Sequence, residues 1–229
     1  MFALNTKAST SLKDIRIVTE HLPPYQIAVN NQLEGGIVGL KIKELLSNVL
    51  PETPIEVLPW ARTYQIALNT PNTIIFSLVR TPERENKFIW IGKVVNVPMK
   101  LIALKASELQ PVSKLSELSD IQIGVKRLDA VTIWLASQGL QFGKELVEVS
   151  NTTTTMQLLE KGRIEVIPST NQVIDFYCQT AGCKRSDFKT IYTFQWFSEE
   201  LYLAMSLGSD EKLVEELKAE FLKLDFSDK

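Results

Sequence analysis

The sequence predicts an α/β fold built from two small units, and three observations carry that prediction. Short apolar strands alternate with amphipathic helices along the chain, the order that gives a parallel sheet covered by helices. The alternation starts afresh near Met99, so two halves share one architecture without an exact sequence repeat. With 229 residues, 45% of them hydrophobic, the chain can bury one large core or two small ones.

In the first half, Ile15-Arg-Ile-Val-Thr19 reads as a strand that ends in Glu20-His-Leu-Pro-Pro-Tyr25. After the Gly35-Gly36 turn, Val38, Ile42, Leu45, Leu46 and Val49 recur at helical spacing until Pro51 and Pro54 stop the helix. Ile55-Glu-Val-Leu58 is a second strand, leading to Pro59-Trp60-Ala-Arg62. A helix through Tyr64-Gln-Ile-Ala-Leu68 feeds the third strand, Thr73-Ile-Ile-Phe76. In the second half, Met99-Lys-Leu-Ile-Ala-Leu104 opens the unit, Leu115 to Asp120 connects, and Ile121-Gln-Ile-Gly-Val125 is a strand. Asp129 is a good N-cap for a helix from Ala130 towards Gly139. Asn151-Thr-Thr-Thr-Thr155 precedes another helix, Ile164-Glu-Val-Ile167 is strand-like, and a helical segment follows from Val173 to Tyr177. Leu201-Tyr-Leu-Ala-Met205 reads as a strand, and Leu213, Val214, Leu217, Phe221 and Leu224 mark a closing amphipathic helix.

Composition narrows the function classes. The formal net charge is −2 and no Lys/Arg block occurs, which argues against a nucleic-acid partner. No apolar run approaches the roughly 18 to 20 residues that cross a bilayer. The opening Met1 to Ser11 lacks the basic and apolar regions of a signal peptide. The chain carries two cysteines, in Cys178-Gln-Thr-Ala-Gly-Cys183. This spacing permits a small disulfide loop, which suits an oxidising compartment, or two free thiols. Two cysteines cannot alone form a four-ligand zinc site, and the single histidine, His21, is far away in sequence. No nucleophile elbow, phosphate-binding glycine loop or zinc-helix motif occurs, so no cofactor is expected.

The most informative stretch is Ser77-Leu-Val-Arg-Thr-Pro-Glu-Arg84, between the strand ending at Phe76 and the apolar burst Phe88-Ile-Trp-Ile91. A hydroxyl and two guanidinium groups stand where a strand meets solvent, and open α/β sheets bind ligands outside the carboxyl ends of their strands. A guanidinium matches a carboxylate with two parallel, charge-assisted hydrogen bonds. The alternative is a pair of ordinary surface arginines on a loop.

Several segments together resemble the bacterial extracytoplasmic solute-binding proteins of family 3, the polar amino-acid type. They are Pro23-Pro24-Tyr25, Gly36-Ile-Val-Gly-Leu40, Thr81-Pro-Glu-Arg84, Leu115-Ser-Glu-Leu118 with Ile123-Gly-Val125, Gly162-Arg-Ile-Glu165, and Leu207-Gly-Ser-Asp210. The resemblance spans nearly the whole chain. It implies a two-lobed periplasmic-binding-protein fold of type II, each lobe a mostly parallel sheet flanked by helices. Residues 1–95 with 197–229 would form one lobe and 96–196 the other, with crossovers near Lys93 to Pro98 and Gln195 to Ser198. It also implies hinge closure over a small solute, a periplasmic location, a monomeric state, and an ABC permease in the inner membrane as partner.

The resemblance also implies roles for single residues. Arg84 matches the arginine that pairs with a ligand carboxylate, and Ser77 a hydroxyl residue on the same strand edge. Glu20 falls near an acidic position after the first strand, and Leu22 or Tyr25 near an aromatic that packs on the ligand. Trp60 and Arg62 would face the cleft by position, with Trp60 equally suited to the core, and Arg80 points either into the cleft or to solvent. The second half departs from the family pattern. Lys126-Arg-Leu-Asp-Ala130 replaces a glycine-threonine stretch, and Thr170 stands near the place of an aspartate that holds a ligand ammonium. Asp129 or Glu20 could then take the ammonium, or Arg62, Arg80, Arg84 and Arg127 could suit a more anionic ligand. A solute receptor is therefore expected rather than an enzyme. A sensing or partner-binding module and a dehydratase-like enzyme on the same scaffold are the alternatives, the last needing Glu20 or Asp129 as acid or base.

Overall fold

The computed structural model describes residues 15–194 and 200–226. The first strand, β1 (Arg16–Thr19), is followed by a hairpin of β2 (Ile27–Val29) and β3 (Gln32–Gly35), then by α1 (Ile37–Val49) and β4 (Ile55–Val57). Next come α2 (Trp60–Asn69), β5 (Thr73–Val79) and β6 (Phe88–Asn96). The chain then crosses into β7 (Lys100–Leu104), β8 (Ile123–Lys126), α3 (Ala130–Ser137), β9 (Leu146–Val149), α4 (Thr152–Glu160), β10 (Ile167–Ser169), α5 (Asn171–Ala181) and β11 (Phe188–Thr193). It ends with β12 (Glu200–Ser206) and α6 (Glu211–Phe221).

Two sheets result, and they share one plan. The first has the order β4-β1-β5-β12-β6. Its first three strands are parallel, and β12 runs antiparallel to both β5 and β6. In the second, β8 and β9 are parallel, and β10 and β11 flank β7 antiparallel. A parallel bridge from Ile123 to Val166, next to β10, joins these two groups. The order is thus β9-β8-β10-β7-β11, matching the first sheet strand for strand. The parallel part comprises three neighbouring strands in each lobe. The chain leaves and returns by β6 and β12 on one side and β7 and β11 on the other, and of these β12 and β7 run against the rest of their sheets. The first crossover is the short Val97 to Met99 stretch between β6 and β7, and the second expected crossover lies outside the described residues.

Alternation along the strands explains the layers. Ile17, Ile74 and Phe76 pack with α1 and α6 on one face of the first sheet, while Val18, Ile75 and Leu78 meet α2 through Trp60 and Tyr64 on the other. Every residue of β5 is buried, as expected of a central strand covered on both faces. In the second sheet, Leu101 and Ala103 face α3, and Ile102 and Ile167 face α4 and α5 through Met156, Leu159 and Ile174. Cys178 and Cys183 are bridged across the end of α5, where Gly182 adopts φ 77° as a left-handed cap. The bridge reading is therefore the one the structure contains.

The hairpin and strands β9 and β11 have no clear counterpart in the sequence-based reading. The hairpin turns at Asn30 and Asn31, with φ of 52° and 62°, a conformation asparagine tolerates better than most residues. Gly36 then lets α1 begin directly against the turn from Leu22 to Tyr25. Its φ is 101°, and a Cβ there would stand 2.4 Å from the Tyr25 carbonyl oxygen. That same oxygen accepts from the first free N–H groups of α1, at Val38 and Gly39. Gly36→Ala should therefore cost about 3 kcal/mol in urea denaturation, because neither backbone can yield. Gly139→Ala, with φ 98° and open space around it, should cost about 1 kcal/mol and isolate the dihedral contribution.

Candidate functional site

The carboxyl ends of the parallel strands converge on one inter-lobe cavity. Glu20 follows β1, Trp60 follows β4, and Arg84 follows β5 from the first lobe; Lys126 ends β8 and Thr170 follows β10 in the second. The cavity is about 80 Å³ as the space in which the centre of a water-sized sphere can move, room for a small solute. Apolar side chains of Leu22, Val97, Met99, Val131 and Val173 form much of its wall.

Arg84 is placed by the turn Thr81-Pro-Glu-Arg84, closed by an Arg84 N–H bond to the Thr81 carbonyl at 2.9 Å. Its side chain folds back under the sheet edge and is only 2% exposed. Nη1 donates to the Val79 carbonyl at 3.1 Å and Nη2 to the Leu128 carbonyl of the other lobe at 3.0 Å. The guanidinium stacks 4.7 Å from the Tyr64 ring and 5.8 Å from Trp60, where the ring faces favour a cation. Both acceptors are neutral. Among the described residues no carboxylate pairs with this buried charge.

Ser77 is aimed by a bulge. In the pairing of β5 with β12, Tyr202 opposes Leu78 and Leu203 opposes Phe76, so Ser77 is the extra residue, with φ 63°. Its Oγ accepts from Gln26 Nε2, which leaves the Ser77 O–H free to donate. Tyr25 lines the same wall, and its hydroxyl meets the Thr170 hydroxyl across the cleft at 3.3 Å. Thr170 Oγ1 also caps α5 by accepting from Val173 N–H at 3.2 Å.

Lys126 was not singled out by the sequence reading, and it makes the ion pair that joins the lobes. Its ammonium donates to both oxygens of Glu20, at 2.7 and 2.9 Å, and lies 3.3 Å from Asp129 Oδ2. Burial pushes the Glu20 carboxyl above the ordinary carboxylate range, against the pull of Lys126. Burial alone would lower the Lys126 ammonium, but the charges of Glu20 and Asp129 hold it above the usual lysine value. The neighbouring Leu128, at φ 60°, points its carbonyl at the first lobe, where it accepts from Trp60 Nε1 at 3.1 Å as well as from Arg84. The signal for Lys126 was available: it is a lysine at the carboxyl end of a buried parallel strand, a place equivalent to that of Glu20.

Glu20, Leu22, Tyr25, Trp60, Ser77, Arg84, Asp129 and Thr170 all line the cavity. Leu22 and Tyr25 both do so, and Trp60 is at once core and cavity wall. Asp129 is the expected helix cap, accepting from Val131 N–H at 3.0 Å. One expectation needs correction, and two open alternatives, for Arg80 and Arg127, fall on the side of the surface. Arg62 is exposed on α2, because the helix turns Trp60 and Thr63 inward and leaves the intervening position on the surface. Arg80 follows the last residue of β5 on the outer side, paired with Glu85 and stacked over Trp90 and Tyr202. Arg127 is exposed beside Lys126 and also lies outside the cavity wall. His21 accepts from Ala28 N–H at 3.0 Å through Nδ1, a hairpin contact, and burial lowers its pKa.

No family model matches the chain, and no curated protein matches it significantly in sequence. Solved structures do match in fold. A histidine kinase sensor domain with similarity to periplasmic binding proteins is 15% identical, with 92% of this chain and 90% of that one covered at a TM-score of 0.72. The holo arginine-binding protein ArgBP from T. maritima is 14% identical, covering 93% and 92% at 0.70. The amino acid ABC transporter substrate-binding protein AbpA from Streptococcus pneumoniae, bound to L-arginine, is 15% identical, covering 93% and 89% at 0.71. The fold is therefore the two-lobed periplasmic-binding-protein fold.

The Glu20–Lys126 pair should behave as a buried unit. Lys126→Met should destabilise the protein by about 3 to 5 kcal/mol, because it strands a buried carboxylate. The double variant Glu20→Leu with Lys126→Met should recover much of that loss, with a coupling of about 1 to 3 kcal/mol in a denaturation cycle.

Proposed function

We propose that this chain is a periplasmic substrate-binding protein that captures a small carboxylate solute, an amino acid or a related acid, between its lobes. Residues 1–95 with 197–229 form one lobe and 96–196 the other. They hinge about paired crossovers and deliver the solute, as a monomer, to an ABC permease in the inner membrane. One observation carries this reading. Arg84 is a buried cation at the wall of the inter-lobe cavity, held by neutral carbonyls and aromatic rings and, among the described residues, by no carboxylate. A charge in that setting costs several kcal/mol unless an anion reaches it. A carboxylate seated in the cavity supplies the anion, with the Ser77 hydroxyl beside it as a second donor.

Binding rather than catalysis is supported by the state of the two acids. Glu20 and Asp129 were the candidates for acid or base work, and both are engaged by Lys126. The amino-acid-bound structural neighbours support the solute class. The sensor-domain neighbour supports a second reading, a ligand-sensing module that uses the same site and closure to signal to a partner.

Arg84→Ala should weaken binding of the best carboxylate ligand by roughly 30- to 5,000-fold in calorimetric titration, the cost of losing a buried charged partner. Arg84→Lys should recover only part, since an ammonium lacks the planar fork. Undiminished affinity in the Ala variant would remove the guanidinium from the site.

A further inference from the structure

Among the described residues, four charged side chains line the cavity, and they are unequally paired. Both oxygens of Glu20 are taken by the Lys126 ammonium, at 2.7 and 2.9 Å. Asp129 is taken twice, by Lys126 through Oδ2 and by Val131 N–H through Oδ1. Among the described residues, Arg84 has only the carbonyls of Val79 and Leu128 as hydrogen-bond acceptors. Glu20 and Asp129 thus share the one Lys126 ammonium, and among the described residues Arg84 has no anionic partner.

An α-amino acid needs an anionic acceptor for its ammonium as well as a donor for its carboxylate. In this cavity its ammonium would have to displace Lys126 from Glu20 or lie beside it, like charge against like charge in a poorly solvated space. Lys126 has little room to withdraw. It stands at the end of β8 with its side chain 14% exposed, and its ammonium lies 5.9 Å from the Trp60 ring centre. The rest of the wall is largely apolar and suits a short hydrocarbon body rather than a second charged group.

Resting on the receptor reading above, we propose that Lys126 is the specificity-determining residue of this site. It fills the position of a ligand cation, so the cavity takes small carboxylates that carry no ammonium and rejects the matching α-amino acids. Arg84 anchors the carboxylate, and the Glu20–Lys126 pair stays closed when the ligand is bound. Discrimination comes from a repulsive element built into the wall, not from an additional contact to the preferred ligand.

The test is calorimetric titration of the full chain with pairs that differ chiefly at the ammonium: propionate and lactate against alanine, and 3-methylbutanoate against valine. The acid of a pair should bind at least about 100-fold more tightly than its amino acid, given the cost of juxtaposed like charges. In Lys126→Met, whose Glu20 is left without a cation, that preference should shrink at least tenfold or reverse as the ligand ammonium takes the vacated place. If the wild-type protein binds the amino acids as tightly as the acids, the inference is overturned while the receptor reading stands. If it binds neither series at millimolar concentration, the carboxylate-receptor reading fails and takes the inference with it. Should Lys126→Met not fold, the wild-type pairs decide alone.

Discussion

The constraint on which the site depends is the burial of one guanidinium that no carboxylate among the described residues neutralises. Arg84 sits under the edge of β5, and each feature around it answers the cost of that burial. The Tyr64 and Trp60 rings offer their faces, and two carbonyls accept its N–H groups. One of those carbonyls belongs to the opposite lobe. A charge so placed favours closed lobes, because opening removes the Leu128 acceptor, and it favours an anion, because neutral acceptors compensate only in part. Under the proposed receptor function, closure and ligand capture are then linked through this side chain.

The segment from Lys126 to Asp129 is the second half of this device. It departs from the family pattern, and it makes the contacts that join the lobes. Lys126 reaches Glu20, and the left-handed turn at Leu128 presents a carbonyl to Trp60 and Arg84. The Leu128 side chain also packs on the aromatic cluster of the first lobe, while Ala130 and Val173 join its other core. Ion pair, backbone acceptor and apolar contact thus come from neighbouring positions. The first two meet a side chain where an amino-acid ligand would present its own ammonium and carboxylate.

Much of this was legible in the sequence. Helical spacing at Val38, Ile42, Leu45 and Leu46 marks α1, Asp129 announces α3 as a cap because its oxygen satisfies the free N–H group at Val131, and the run from Asn151 to Thr155 marks the approach to α4. β1, β4 and the start of β5 were readable as apolar runs, the last only as far as Phe76, and the placing of Glu20, Trp60 and Arg84 at strand ends followed from the family resemblance. The hairpin and the edge strands β9 and β11 were less so, because short, partly exposed strands carry a weak apolar signal. The orientation of Arg62 and Arg80 depended on helix phase and on a bulge, and neither can be read from residue type. Lys126 was passed over because a lysine beside an arginine reads as solvated charge. Its partner, Glu20, is 106 residues away, and only the tertiary fold joins them.

The most direct measurement is a crystal structure of the protein grown with a saturating short carboxylate such as propionate. The expected result is a carboxylate in the inter-lobe cavity with both oxygens about 2.7 to 2.9 Å from Arg84 nitrogens, the range of charge-assisted N–H to O bonds. Lys126 remains on Glu20. A carboxylate bound elsewhere, or bound by Lys126 while Arg84 keeps only its two carbonyls, would contradict the assignment of Arg84 as the anchor.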